Sequence, residues 1–264
     1  IDIGSGHVMR CLALAFALKE KGHSCVFICR EHKGNLISFI QKKGFEVKIL
    51  AIEINNDSTK KHRLFHSSWL GATQQQDAQA CILFLRDIMP DWIIVDHYAL
   101  DSEWEEKISV YCKSIFVIDD LVDRKHCCDI LLDQTLNRQS IDYKDLVISA
   151  KTQVLAGTDF ALLRPEFSQW REYSLNRRAN PVLKKILVNL GGVDKDNITQ
   201  LVLEELEKSD LANYISVDVI MGASAPHRDK IEQFAKMTKL AVTVSVNVSN
   251  MAEKLAEADL AIGA

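Results

Sequence analysis

Short apolar runs recur along this chain, and each is followed by a stretch of helical periodicity. Residues 24–29, 45–50, 92–95, 115–118 and 129–132 are such runs, as expected of parallel strands buried on both faces. Helical patterns fill residues 33–43, 73–89 and 102–113. Residues 7–21 set Val8, Cys11, Leu12, Ala15 and Leu18 on one helical face before Gly22 closes it. Strand, helix and strand in succession demand a crossover, so the pattern predicts a parallel sheet with helices on both sides.

The rhythm breaks at Arg164-Pro165-Glu166-Phe167. Residues 166–183 read as a connecting helix and linker whose Arg and Glu residues form a solvated face. A second α/β unit starts with the strand Lys185-Ile186-Leu187-Val188-Asn189-Leu190, which ends in Gly191-Gly192. A helix at 195–208, a strand at 216–221 ending in Gly222 and another at 241–245 continue it. A chain of 264 residues suits two domains. The expectation is an α/β protein of two Rossmann-like domains, residues 1–165 and 184–264, with glycine turns facing one another across a ligand-binding cleft. Both ends read as cut. Ile1-Asp2 stands where a strand feeding the first helix finishes, and residues 258–264 read as a strand entering a small-residue turn.

A net charge of −4 and a pI near 6.1 argue against a general nucleic-acid binder. The sequence has no apolar run of about 18 residues and no signal or lipidation motif, so a cytoplasmic protein with no membrane partner is expected. Seven cysteines, an odd number, form no disulfide framework and read as small buried hydrophobes. The vicinal pair in His126-Cys127-Cys128-Asp129 lacks the C-x-x-C spacing of zinc sites, so no metal is expected.

Chemistry concentrates where strands end. Gly4-Ser5-Gly6-His7 precedes the first helix. Two glycines allow close backbone approach, and the free N–H groups of a helical first turn favour an anion beside His7. The dinucleotide fingerprint is incomplete, because Met9 stands where its third glycine would fall. The turn is either an anion site with a base beside it or a tight strand-to-helix connection. At the carboxyl end of another strand, Asp96, His97 and Tyr98 can orient a histidine, bind a hydroxyl or pack on a sugar. Asp119-Asp120 repeats the pattern, with Asp119 binding a substrate amide or hydroxyl or fixing its loop through Arg124. In the second half Gly191, Gly192 and Gly222 are candidates to hold nucleotide phosphates or base, with Asn197 and His227 as further polar contacts.

With these residues collected, the chain resembles the UDP-sugar hydrolases of pseudaminic acid biosynthesis, which release UDP from UDP-2,4-diacetamido-2,4,6-trideoxy-β-L-altropyranose. The likeness is carried by residues 4–15, Trp69-Leu70-Gly71, Val95-Asp96-His97-Tyr98, Ile118-Asp119-Asp120-Leu121 with Leu131-Leu132-Asp133-Gln134, residues 161–167, residues 189–192 and residues 258–264. It implies a glycosyltransferase-B-like architecture, with nucleotide in the C-terminal domain and sugar in the cleft. It implies that His7 is the base activating water for inverting attack at the anomeric carbon. Gly4, Gly6, Arg10, Asp96, His97, Tyr98 and Asp119 would meet the sugar, and Gly191, Gly192, Asn197 and Gly222 the nucleotide. No cofactor is implied. Family members continue beyond Gly263-Ala264 into a glycine-rich segment and an acidic residue that help hold the nucleotide. Such a site needs one base and good diphosphate donors, without the second carboxyl acid of ordinary glycosidases. A glycosyltransferase of the same fold, using an alcohol acceptor, and a non-catalytic UDP-sugar binding module are the alternatives.

Overall fold

The computed structural model describes residues 6–53, 64–223 and 225–263. The chain divides into two compact units, Ile1–Leu163 and Arg164–Ala264.

In the first unit, helix α1 (Gly6–Glu20) is followed by strand β1 (Val26–Arg30), α2 (Ile37–Lys42) and β2 (Glu46–Leu50). The strands β1 and β2 pair in parallel, and Leu12 and Ala15 of α1 pack with Ile40 and Phe45 into a small core beside them. Helix α3 (Gln74–Ile88), strand β3 (Trp92–Val95), α4 (Ser102–Ile108), β4 (Ser114–Ile118), β5 (Ile130–Asp133) and β6 (Gln153–Ala156) complete the unit. The last four strands form a parallel sheet in the order β3-β4-β5-β6. Among the described residues the first unit therefore has two sheets rather than one. The strand expected to feed the first glycine turn lies outside the described residues.

Burial follows sheet position. The inner strands β4 and β5 bury Ile115, Val117, Ile118, Leu131 and Leu132, whereas the edge strand β3 leaves Trp92 and Ile94 exposed. Helix α3 opens on a capping box: Thr73 accepts from the Gln76 N–H, and the Gln76 side chain accepts from the Thr73 N–H. Its inner face places Ala78, Cys81 and Leu85 on the sheet.

The second unit begins with α5 (Pro165–Arg177), then runs through β7 (Lys185–Asn189), α6 (Ile198–Lys208), β8 (Ser216–Met221), α7 (Arg228–Met237), β9 (Ala241–Val246), α8 (Met251–Glu257) and β10 (Leu260–Gly263). All four strands are parallel, in the order β10-β7-β8-β9. The chain builds outward from β7 to β9 and then returns to the other side of β7 as β10. The direction of winding reverses between β7 and β10, which is where sheets of this kind bind ligands beyond their carboxyl ends. The charged stretch after Pro165 falls in this unit as α5. The Arg177 guanidinium donates to the carbonyls of Ala256 and Ala258 and to Asp259.

No helix among the described residues is long and apolar enough to cross a membrane. All seven cysteines are free.

Candidate functional site

The carboxyl ends of the neighbouring strands β3 and β4 meet the start of α1, and five ionisable side chains converge there. His7 directs Nδ1 at Asp96 Oδ1, 2.5 Å away. Arg10, one turn further along α1, grips the same carboxylate with two donors, Nε to Oδ2 at 2.7 Å and Nη2 to Oδ1 at 2.6 Å. Its remaining arm, Nη1, donates to Asp120 Oδ2 at 3.0 Å. The Cys11 thiol adds a weaker contact to Asp96 Oδ2 at 3.4 Å.

Burial decides the roles. The side chain of Asp96 is 3% exposed and that of His7 15%, so solvent or substrate reaches the imidazole and not the carboxylate. Burial opposes the charge of Asp96, but hydrogen bonds and charge from Arg10 and His7 prevail and hold its carboxyl below the usual range. An ionised Asp96 only accepts, so the His7 nitrogen facing it, Nδ1, is a protonated one; in the neutral imidazole this tautomer leaves the lone pair on Nε2. Asp96 and Asp120 carry two negative charges against the single positive charge of Arg10. The surplus fits an imidazolium formed when His7 takes up a proton.

Tyr98 stands edge-on to the His7 ring, with centroids 4.6 Å apart. Burial, followed by the neighbouring Asp120 carboxylate, pushes its phenol well up, so it stays protonated and can donate. His66 and Trp69, on the 3-10 turn before α3, lie 5.5 Å and 6.1 Å from the Tyr98 ring.

Two of the expected sugar contacts are placed differently. Of the two roles expected of Asp119, binding a sugar amide or hydroxyl or fixing its loop through Arg124, the structure has the second. Its carboxyl is fully buried, 2.7 Å from Arg124 Nη1, and it accepts from the Tyr143 hydroxyl at 2.8 Å. Consecutive residues leaving a strand point to opposite faces, so Asp119 enters the core while Asp120 meets Arg10. His97 turns back on its own loop, where Nδ1 accepts the Ala99 N–H at 3.0 Å. Burial pushes it down to about 4, so it is neutral near pH 7. Gly6 opens α1 with free space around its Cα, and Gly4 lies outside the described residues.

In the second unit the glycine turns have distinct reasons for being glycine. Gly191 has φ +76°, and a Cβ on Gly222 would collide with the backbone of Gly192. The turns after β7 and β8 therefore pack backbone to backbone. Asn189 also ties them, its side chain donating to the Ile220 carbonyl at 3.0 Å. The start of α6 is different from an open anion site. The Asp194 carboxylate accepts the N–H groups of Ile198 and Thr199, both at 2.9 Å, satisfying donors that a phosphate would otherwise take. Asn197 has φ 56° and donates to Gln200, and its own side-chain oxygen is buried without a partner among the described residues. His227 Nε2 faces the Lys195 carbonyl. The buried Glu105 accepts the Cys127 N–H and faces His126 Nδ1 at 2.8 Å, while the Cys128 carbonyl accepts from the Thr152 hydroxyl. No group of three or more metal-ligating side chains assembles among the described residues.

No family model matches the chain. Against curated proteins, it is 26% identical over 238 residues to the UDP-2,4-diacetamido-2,4,6-trideoxy-beta-L-altropyranose hydrolase of Campylobacter jejuni, covering 89% of this chain and 71% of that protein. The similarity reaches a UDP-sugar hydrolase. It is distant, and two further proteins match this chain at comparable identity. The uncharacterized protein MJ1062 of Methanocaldococcus jannaschii is 25% identical over 99% of this chain, which spans about half of that protein, 49% of its length. The spore coat polysaccharide biosynthesis protein SpsG of Bacillus subtilis is 27% identical over 50% of this chain and 42% of its own length. Among solved structures, MurG of Acinetobacter baumannii superposes with a TM-score of 0.58 over 98% of this chain and 69% of its own, at 12% identity. That likeness concerns fold alone. With the parallel sheets, it shows the expected α/β class, Rossmann-like units of glycosyltransferase-B type.

Proposed function

We propose that this protein hydrolyses a UDP-linked 2,4-diacetamido-2,4,6-trideoxy sugar, releasing UDP and the free sugar with inversion at the anomeric carbon. The observation that carries the reading is the hydrogen bond from His7 Nδ1 to a buried, ionised Asp96. It leaves Nε2 of the neutral ring as the base. A water molecule gives its proton to Nε2 as its oxygen bonds to the anomeric carbon. The bond from that carbon to the diphosphate oxygen breaks, and its electron pair leaves with UDP. The imidazolium is stabilised by Asp96 and returns its proton to solvent. UDP is a stable anion on departure, so no acid is required on the leaving-group side.

In this reading the first unit carries the chemistry. Tyr98, Asp120 and Gly6 line the sugar's side of the site, with Arg10 holding the carboxylates in place. Gly191, Gly192, Gly222 and Asn197 of the second unit hold the nucleotide, and the return of β10 beside β7 supports a ligand crevice at those turns. The Campylobacter relative's activity supports the substrate class.

Turnover in ¹⁸O-labelled water, with mass spectrometry of both products, tests the reaction. Label in the free sugar is expected. Label in UDP would mean cleavage at phosphorus and would overturn the assignment, and release dependent on an added alcohol would make the protein a transferase. His7→Gln should abolish turnover while UDP still binds in calorimetry, and normal turnover in that variant would remove His7 from the mechanism.

A further inference from the structure

We infer that the turn carrying His66 and Trp69 forms, with Tyr98, the subsite that receives an N-acyl group of the sugar and sets specificity for acylated over free amino sugars. The inference rests on the proposed UDP-sugar chemistry at His7 and adds His66 and Trp69, which that chemistry does not use.

Three rings form one cluster beside the base. His66 and Trp69 have centroids 4.1 Å apart at 48°, and both are tilted by 45° to Tyr98, which itself touches His7. All three residues are half-buried, so the cluster is not sealed within the core. Within this apolar surface one polar atom is left over. His66 Nδ1 is buried and has no partner among the described residues, an arrangement that costs free energy unless a ligand supplies the partner.

The turn is also fixed. Gly71, which ends it, has φ +66°, and a Cβ there would strike the His32 ring. Leu70 is buried and its carbonyl faces His32 Nε2 at 3.3 Å. Ser67 closes the other end through its hydroxyl to the Leu64 carbonyl. A wall held this way is pre-organised, which suits recognition more than general packing.

An acetamido group matches these features. Its planar amide and methyl pack on aromatic faces, and its C=O accepts the hydrogen bond that a protonated His66 Nδ1 would otherwise leave unmade. A free amino group, charged near neutral pH, has neither the flat apolar surface nor the acceptor. A subsite built to complete a buried hydrogen bond rejects a ligand that cannot make it.

The test uses the His7→Gln protein, which keeps substrate intact, and three UDP-sugars: the 2,4-diacetamido-2,4,6-trideoxy compound and its two counterparts each lacking one acetyl group. Calorimetry should show one counterpart binding about 10- to 100-fold more weakly than the diacetamido compound. The corresponding bound acetyl methyl should shift upfield in NMR through the aromatic ring current. Trp69→Leu, which keeps bulk without the ring, and His66→Asn should each bring that ratio towards unity while leaving UDP affinity unchanged. An unchanged ratio in both variants, or equal binding of all three sugars, overturns the inference even if the wild-type protein hydrolyses them. Acyl-dependent binding without turnover by the wild-type protein would instead refute the hydrolase reading and leave this subsite standing.

Discussion

Replacing Asp96 by Asn keeps the shape of the His7 site and removes its charge. Asp96 Oδ1 now accepts from both His7 Nδ1 and Arg10 Nη2, and Oδ2 accepts from Arg10 Nε. A carboxamide cannot reproduce this. With its NH2 at the Oδ2 position, it presents a donor to Arg10 Nε. With its NH2 at the Oδ1 position, it presents donors to His7 and Arg10 together. The second orientation forces the His7 proton onto Nε2, where the water should be activated, and either orientation leaves a nascent imidazolium without a counter-charge. General-base catalysis contributes about 10²- to 10⁴-fold, so kcat should fall by about that factor, equivalent to about 3–5 kcal/mol of barrier. Stability should fall less than for a fully orphaned buried ion pair, roughly 3–5 kcal/mol, because Asp120 still holds one arm of Arg10. Single-turnover release of UDP, measured beside a thermal melt, separates the two effects. A folded Asp96→Asn protein with kcat within about threefold of wild type would refute the tautomer argument.

Gly222→Ala should lower stability by about 2 kcal/mol, because its Cβ meets the Gly192 backbone rather than a yielding side chain. Gly192→Ala, with open space around it, should be nearly neutral, and equal melting shifts for the two would contradict the packing described. His97 supplies an acid-side dependence of stability. Its folded value lies near 4, below the unfolded 6.5. Its contribution is therefore full above pH 6.5 and is lost as pH falls towards 4, at a slope of up to about 1.4 kcal/mol per pH unit. His97→Asn, which keeps an acceptor for the Ala99 N–H, should flatten chemical-denaturation stability across that window. The buried His126 acts in the opposite sense. Burial lowers it, but Asp119 and Glu105 raise it further, so its contribution is present below pH 6.5 and fades at higher pH.

The sheet strands were legible because strands covered on both faces are largely apolar: β4 and β7 carry unbroken aliphatic or aromatic runs, and β8 carries one interrupted only by Asp218. Helices α7 and α8 escaped for the converse reason. Ile231 is the residue that α7 buries among charged neighbours, and α8 buries Ala252 and Ala256, which carry little periodic signal. Strand β6, Gln153–Ala156, is a half-buried edge whose apolar run is only Val154-Leu155-Ala156, too short to stand out from a loop. At the site, the types His7, Arg10, Asp96 and Tyr98 could be read from position at strand ends and from family resemblance. Which of Asp119 and Asp120 meets Arg10 could not, since it depends on the face of the sheet that α1 covers. The Asp194 cap was missed although its signal is local, an Asp four residues before the N–H it satisfies.

The clasp made by Arg177 bears on how the second unit is made. Its partner Asp259 lies 82 residues along the chain and also receives the N–H groups of Lys184 and Lys185 at the entrance to β7. Contacts so far apart in sequence reward the chain only after its intervening loops have closed. During synthesis α5 emerges first and must wait, with its guanidinium in solvent, until β10 arrives. The clasp thus couples docking of the unit's first helix to insertion of its last strand.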